Sequence, residues 1–145
     1  AYQELSVFKA YACDCGLLRR LAKLSPEVIL SGNSGYTEFK GALTENAILQ
    51  SLVPQSDVMP YYWSSENRAE VDFILQFPTY VVPVEVKSDT RISGKSLSVY
   101  ANKFAPSCRI RFSMNNLKEN DGLLSCPVPL ADWIYKIVGL MKLGK

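Results

Sequence analysis

Three segments in the middle of the chain alternate between hydrophobic and polar residues, which predicts three β-strands. They are Met59 to Trp63, Ala69 to Gln76 and Tyr80 to Lys87. The short connections between them favour antiparallel neighbours. The two-residue period places Glu70 and Asp72 on one face of the second strand, with Val71, Phe73 and Leu75 opposite. In the third strand it places Glu85 and Lys87 on one face.

A helix with a broad apolar face precedes these strands, from about Thr37 to Val53. Glu45 lies on the same helical stripe as Ala42, Leu49 and Leu52, at spacings of three, four and seven residues. A carboxylate among core-facing residues needs a partner, because burying it alone costs several kcal/mol or forces it to take up a proton. Glu45 is therefore a candidate functional residue.

The remaining pattern predicts helices, strands and turns around this centre. They are a strand from Val7 to Ala12, a helix from Gly16 to Leu24 capped by Asp14, a mobile loop from Ser31 to Gly35, a helix from about Lys95 to Phe104, a strand from Cys108 to Met114, a polar turn from Asn115 to Gly122, a short apolar segment from Leu123 to Cys126 and a helix from about Leu130 to Leu143. The predicted fold class is α/β, with a central mixed sheet flanked by helices.

Composition narrows the chemistry that this fold can carry. The chain has 145 residues and no histidine, so residues 1–145 are expected to form one domain that uses neither a histidine triad nor histidine metal ligands. The four cysteines lack paired zinc-site spacing and are expected to be reduced, mostly buried thiols.

No apolar run or leader predicts a membrane span or secretion, so we expect a cytoplasmic protein. Because the chain starts with Ala1, we expect a fragment of a longer protein.

Two carboxylates and a lysine form the strongest candidate site. Asp72 and Glu85 are 13 residues apart, enough for one hairpin, so they can lie side by side on adjacent strands. Two carboxylates suit Mg²⁺ or Mn²⁺, which complete their coordination with water and substrate phosphate. Lys87 can hold or activate the attacking water, and Glu45 can add a further ligand or base. The predicted catalytic residues are Glu45, Asp72, Glu85 and Lys87, with Asp72 and Glu85 as metal ligands.

This order of elements, with its Asp and its Glu-x-Lys, resembles the PD-(D/E)XK, or restriction-endonuclease-like, superfamily. Four separated motifs more narrowly resemble the C-terminal domain of bacterial and archaeal AAA-type ATPases, named domain of unknown function 4143. They are Lys40 to Asn46, Pro60 to Trp63, Ala69 to Phe73 and Val84 to Lys87; Phe8 to Tyr11 and Asp14 to Leu18 also look like that family's first strand and turn. One departure is Val71, which stands where the superfamily has proline.

The resemblance implies a restriction-endonuclease-like αβββαβ core, with an extra N-terminal strand and helix and a C-terminal helix. It also implies an upstream ATPase domain that binds ATP, because ATPase domains precede this domain in the family; the present chain itself has no phosphate-loop motif. The implied function is Mg-dependent hydrolysis of nucleic-acid phosphodiesters, with DNA as the expected partner. The alternative is a catalytically inactive nuclease-fold module for DNA or protein docking.

A basic segment bears on the choice between these functions. From residue 87 to residue 111 the chain carries six basic side chains and one acid, Asp89, for a formal charge of +5. These charges suit either a solvated surface or a face that follows a phosphate backbone, and both interpretations stay open. The basic residues are Lys87, Arg91, Lys95, Lys103, Arg109 and Arg111.

Overall fold

The computed structural model describes residues 6–31, 34–65, 69–89 and 94–141, which form a mixed α/β fold. The helices are α1 (Cys15–Leu21), α2 (Pro26–Ser31), α3 (Ser34–Leu52), α4 (Lys95–Phe104) and α5 (Ile134–Leu140), with 3-10 turns at Val53–Gln55 and Val128–Trp133. The strands are β1 (Tyr61–Ser65), β2 (Ala69–Gln76), β3 (Val81–Val86), β4 (Arg109–Ser113), β5 (Lys118–Asn120) and β6 (Leu123–Pro127). Among these described residues, no helix has both the length and the apolar character needed to cross a bilayer.

The described strands form one mixed sheet in the order β1-β2-β3-β4-β6-β5. The first three are antiparallel, β3, β4 and β6 are parallel, and β5 returns antiparallel to β6. The parallel pairing of β3 with β4 requires a crossover, and α4 supplies it. The predicted α/β class, with a mixed sheet flanked by helices, is confirmed.

Helices cover both faces of this sheet. On one face, Ile48 and Leu52 of α3 belong to the main core with Phe73 of β2 and Ile134 of α5. On the other, α4 packs Leu97 and Tyr100 against Val71 of β2. The predicted helical stripe on α3 is wrong at Ala42, which is exposed. The buried line of α3 instead runs through Asn46, whose side-chain oxygen accepts a hydrogen bond from the Ala12 N–H at 2.9 Å.

The predicted strand from Val7 to Ala12 is wrong, because the described part of this segment has no strand neighbour and forms neither strand nor helix. It lies against α3 and is held there by side-chain hydrogen bonds to Glu45 and Asn46. An extended segment becomes a strand only when another strand satisfies its backbone groups, and here a helix is the neighbour. We call residues 6–12 the N-terminal segment.

The helices around the predicted loop also differ from expectation. Asp14 caps α1 as predicted and accepts a hydrogen bond from the Leu17 N–H at 2.9 Å. The helix ends at Leu21 instead of Leu24, because Lys23 has a left-handed backbone with φ of 55°. The predicted loop from 31 to 35 is wrong at residues 31, 34 and 35, which are helical. Residues 32–33 lie outside the described residues, so the predicted mobility of the loop stays a prediction there.

The C-terminal third has one unpredicted strand and a shorter helix. The predicted polar turn contains β5, which turns into β6 through Asp121 and Gly122, both with positive φ. The predicted last helix begins as a 3-10 turn at Val128–Trp133 with a proline in its first turn, so α5 covers only Ile134–Leu140. Residues 142–145 lie outside the described residues.

Candidate functional site

The candidate site lies where β2 and β3 stop pairing with each other. Their last paired residues are Phe73 and Val84. Beyond this point the Val86 N–H, which points toward β2, donates to Oδ2 of Asp72 at 2.7 Å. A side-chain carboxylate thus accepts the hydrogen bond that a main-chain carbonyl accepts in a regular ladder. This bond fixes Asp72 beside the Glu85-Val86-Lys87 segment.

A β-bulge in β2 turns Asp72 toward α3. Tyr61 pairs with Ile74 and Trp63 pairs with Val71, so residues 72 and 73 of β2 together oppose one residue of β1. Val71 and Ile74 accordingly pack on the α4 side, while Phe73 joins the core beneath α3. The predicted regular alternation of Val71, Phe73 and Leu75 is therefore wrong at Val71, because a bulge shifts the period by one residue.

One lysine of the N-terminal segment joins three acids into a cluster. The Nζ atom of Lys9 lies 2.9 Å from Oε1 of Glu45 and 3.7 Å from Oδ1 of Asp72, and it also pairs with Glu70. The ammonium lies 5.5 Å from the centroid of the Tyr62 ring. We call Lys9, Glu45, Glu70 and Asp72 the acidic cluster; its formal charge is one ammonium against three carboxylates, or −2.

Tyr11 completes the neighbourhood of Glu45. Its hydroxyl donates to the same Oε1 atom that Lys9 contacts, and its ring packs 5.9 Å from that of Phe73. Burial, and then the bond to Glu45, raise the pKa of the Tyr11 hydroxyl. Tyr11 is therefore a neutral donor that satisfies one oxygen of Glu45, which is the partner that the sequence required for this carboxylate.

The charges of the acidic cluster shift each other's protonation. Burial, and next the charge of Glu45, raise the pKa of Asp72 to about 6 against the opposing effects of the Val86 N–H, Lys9 and Lys87. Burial lowers the pKa of Lys9, but its bonds to Glu70 and Glu45 outweigh burial, so the net shift is upward. Lys9 thus remains an ammonium, and Asp72 is a carboxylate crowded by another carboxylate.

A second cluster surrounds Glu85, which is only 1% exposed. Its Oε2 atom accepts from Nε of Arg111 at 2.9 Å, and its Oε1 atom lies 3.3 Å from Nζ of Lys87. The register of β3 and β4 pairs Glu85 with Arg111 directly. Gly94, just before α4, leaves room for the guanidinium, which a Cβ at that position would overlap. We call Glu85, Lys87 and Arg111 the Glu85 cluster; its formal charge is +1.

The structure places the four predicted site residues in two separate clusters at one strand end, linked by the main-chain bond from Val86 to Asp72. Glu45 and Asp72 belong to the acidic cluster, and Glu85 and Lys87 belong to the Glu85 cluster. A cavity of about 230 Å³ beside Lys9 and Glu45 reaches this region from the α1 side. Within the described ranges, no group of three or more acidic or cysteine side chains has an arrangement that could by itself hold a metal ion.

Comparison with known proteins gives one significant match. The family model described as domain of unknown function (DUF4143) matches residues 40–131, more than half of the chain. The chain belongs to this DUF4143 family. The match includes Glu45, Asp72, Glu85 and Lys87, and it begins after the N-terminal segment. A search of curated proteins and a search of solved structures each gave no significant match.

Sequence reasoning missed several residues that build the site of this DUF4143 domain. Arg111 was assigned to the basic segment, because the alternation of arginines with Ile110 and Phe112 in β4 is also typical of a strand with one solvated face. Glu70 was noticed only as sharing a face with Asp72. For Lys9 the sequence carries no signal, because 36 residues separate it from Glu45.

The basic segment does not form one continuous face among its described residues. Arg111 donates a hydrogen bond to the Glu85 carboxylate, and the guanidinium of Arg109 donates to the main-chain oxygen of Asp121. Lys103 lies over the rings of Trp63 and Phe104, at 5.9 and 5.2 Å from their centroids. Lys95 is exposed at the start of α4, and Arg91 lies outside the described residues.

Proposed function

We propose that this domain is a Mg²⁺- or Mn²⁺-dependent phosphodiesterase of the PD-(D/E)XK, restriction-endonuclease-like type, acting on nucleic acid, with DNA as the expected substrate. The observation that supports the proposal is that a net negative cluster and a net positive cluster lie at one strand end, where the Val86 N–H, next to Glu85, donates to Asp72. Cleaving a phosphodiester needs both signs of charge: carboxylates to hold a cation, and cations to hold phosphate.

The donor chemistry of the site fits a hard divalent cation. Mg²⁺ is usually held by one or two carboxylates together with waters and substrate phosphate, so it does not require a preformed three-acid site, which the described residues lack. Asp72 and Glu85 are the proposed ligands, since each carboxylate oxygen has two lone pairs and can accept more than its present partner. For both to bind one cation, the Glu85 carboxylate must turn from Arg111 toward Asp72 at the strand end. When bound, the metal would polarise the phosphoryl group and lower the pKa of a water ligand.

The protein side chains have separate tasks in this proposal. Lys87 is about one-third exposed beside Glu85, where its ammonium can orient the attacking water and offset charge that develops on the phosphate. Arg111 is a positioning residue, because its bond fixes one oxygen of the buried Glu85 carboxylate. Glu45 completes the acid set from α3 and is oriented by Tyr11 and Lys9.

The setting of the domain is proposed from its resemblance to ATPase-linked relatives. We propose that it acts in the cytoplasm as the C-terminal part of a longer protein, whose upstream AAA-type ATPase domain binds ATP. In that arrangement the ATPase domain would present or move the nucleic acid, while the present chain carries the cleavage residues.

One observation favours a second function, a nuclease fold that docks DNA or protein without cleaving it. Lys9 already supplies a positive charge to Glu45, Glu70 and Asp72, and an internal cation can replace a metal structurally. In this case the domain would bind its partner equally well with and without divalent cations.

A metal titration with two matched variants tests the proposed function. Isothermal titration of the full chain with Mg²⁺ and Mn²⁺ should give Kd values in the millimolar range or tighter. Asp72→Asn should abolish binding, whereas Asp57→Asn, which changes an exposed acid before β1, should leave it intact. Equal binding by Asp72→Asn and the parent would remove the metal site. Metal binding without cleavage of DNA or RNA, with the ATPase domain restored, would favour the docking function.

A further inference from the structure

We propose that Lys9 is a positioning residue whose ammonium lies beside Asp72, competes there with divalent metal and so sets the affinity of the site for that metal. This inference rests on the proposed metal-dependent function and adds a competing internal cation to it. The N-terminal segment would then control how readily the site accepts Mg²⁺.

The geometry places the ammonium where a metal's positive charge is needed. The three carboxylates of the acidic cluster come from β2 and α3, and they meet at the single Nζ atom of Lys9. The lysine side chain is 23% exposed, and those of Glu45 and Asp72 are 24% and 16% exposed. Partial burial reduces the screening of these charges by salt, so their electrostatic interactions are stronger than those of fully exposed pairs. The remaining exposure lets cations from the solvent reach the carboxylates.

Lys9 provides one of several contacts that fasten the N-terminal segment to the fold. The Ala12 N–H binds Asn46, the Tyr11 hydroxyl binds Glu45, and the Tyr11 ring packs on Phe73, all without Lys9. Asn46 is buried, so its bond to the segment is protected from water. The lysine therefore acts chiefly through its charge.

A bound ammonium and a bound divalent cation repel each other in this space. Oδ1 of Asp72, the oxygen that faces away from Val86, lies 3.7 Å from Nζ of Lys9. A divalent cation at Asp72 must displace the ammonium or tolerate it at about 4 Å, and this repulsion weakens binding even in water. Removing the lysine charge should then tighten metal binding by about tenfold or more.

Calorimetric titration of Mg²⁺ and Mn²⁺ into four proteins tests this role. Lys9→Met should bind metal about tenfold more tightly than the parent, because it removes the competing charge and keeps an unbranched side chain. Lys9→Arg should bind as the parent does. Lys118→Met, which makes the same change at an exposed lysine of β5, should also bind as the parent does. Binding by Lys9→Met that is equal to or weaker than the parent's would overturn the inference.

A second pair of variants keeps the test decisive if three unbalanced carboxylates prevent Lys9→Met from folding. Glu70 is half-exposed, so Glu70→Gln is a mild change, and the double variant Lys9→Met with Glu70→Gln has the formal charge of the parent cluster. The double variant should bind metal about tenfold more tightly than Glu70→Gln alone. A lower melting temperature with unchanged affinity would identify Lys9 as a structural ion-pair residue only, which overturns the inference and leaves the proposed function intact. No metal binding by any variant would overturn both.

Discussion

The acidic cluster and the Glu85 cluster lie close together but differ in net charge and in solvent exposure. In the acidic cluster three carboxylates share one ammonium, and the side chains of Lys9 and Glu70 are 23% and 51% exposed. In the Glu85 cluster two cations share one carboxylate whose side chain is 2% exposed. On the proposed role of Lys9, a solvent cation can replace the ammonium in the first cluster, whereas the second cannot lose a partner without leaving a buried charge uncompensated. The free energy of unfolding is therefore expected to depend more on the Glu85 cluster than on the acidic cluster.

The largest effect is expected from breaking the buried cluster. Arg111→Met should lower the free energy of unfolding by about 3–5 kcal/mol, because Glu85 would keep only its contact with Lys87. Denaturant unfolding should show Lys9→Met, in the more open cluster, to be destabilised by no more than about 1 kcal/mol. Adding Glu85→Gln to Arg111→Met should recover most of the loss. Equal effects of Arg111→Met and Lys9→Met would remove the distinction between the clusters.

The second prediction separates metal binding from catalysis. Lys87→Ala should keep metal binding, since Asp72 and Glu85 remain, but lose phosphodiester cleavage by a factor of about 10² or more. Single-turnover cleavage of DNA with saturating Mg²⁺ measures the loss, and Lys118→Ala is the matched control at an exposed position. Cleavage that persists in Lys87→Ala would point to another site or to a contaminating nuclease.

A third prediction uses the raised pKa of Asp72, about 6 against an ordinary 3.8. A carboxyl whose pKa is higher in the folded state favours folding when protonated, and this contribution is lost as pH rises from about 4 through 6. Asp72→Asn keeps an acceptor for the Val86 N–H but does not titrate. In metal-free buffer, the unfolding free energy of the parent should therefore fall by about 2 kcal/mol relative to the variant between pH 4 and pH 7. A relative gain over that range would show a lowered pKa instead.

The smallest effect is expected at Glu45. Glu45→Gln keeps an oxygen for the Tyr11 hydroxyl and relieves repulsion with Asp72, so metal-free stability should stay within about 0.5 kcal/mol of the parent or rise slightly. With millimolar Mg²⁺ the parent should gain more melting temperature than the variant, because bound ligand stabilises the fold by mass action. Matching gains in thermal melts would exclude Glu45 from the metal site.

The sequence alone determined those helices and strands whose bounds depend only on nearby residues. The bounds predicted for β2 and α4, Ala69–Gln76 and Lys95–Phe104, are confirmed. Each is delimited by nearby residues: alternation and a following proline segment for β2, and Gly94 and Pro106 around α4. The types and order of the acids and Lys87 were also visible in the sequence, because hairpin spacing and strand period need no distant information.

Tertiary structure alone decided which charges meet. The N-terminal segment has the composition of a strand, yet it lies on α3 because that helix offers Asn46 and Glu45 as partners. A bulge, which no residue type at 72 or 73 announces, turned Asp72 toward Lys9. The parallel register of β4 brought Arg111 to Glu85 across 26 residues. Sequence periodicity describes the faces of single elements, whereas ion pairing depends on which faces pack together, and that is set by the whole chain.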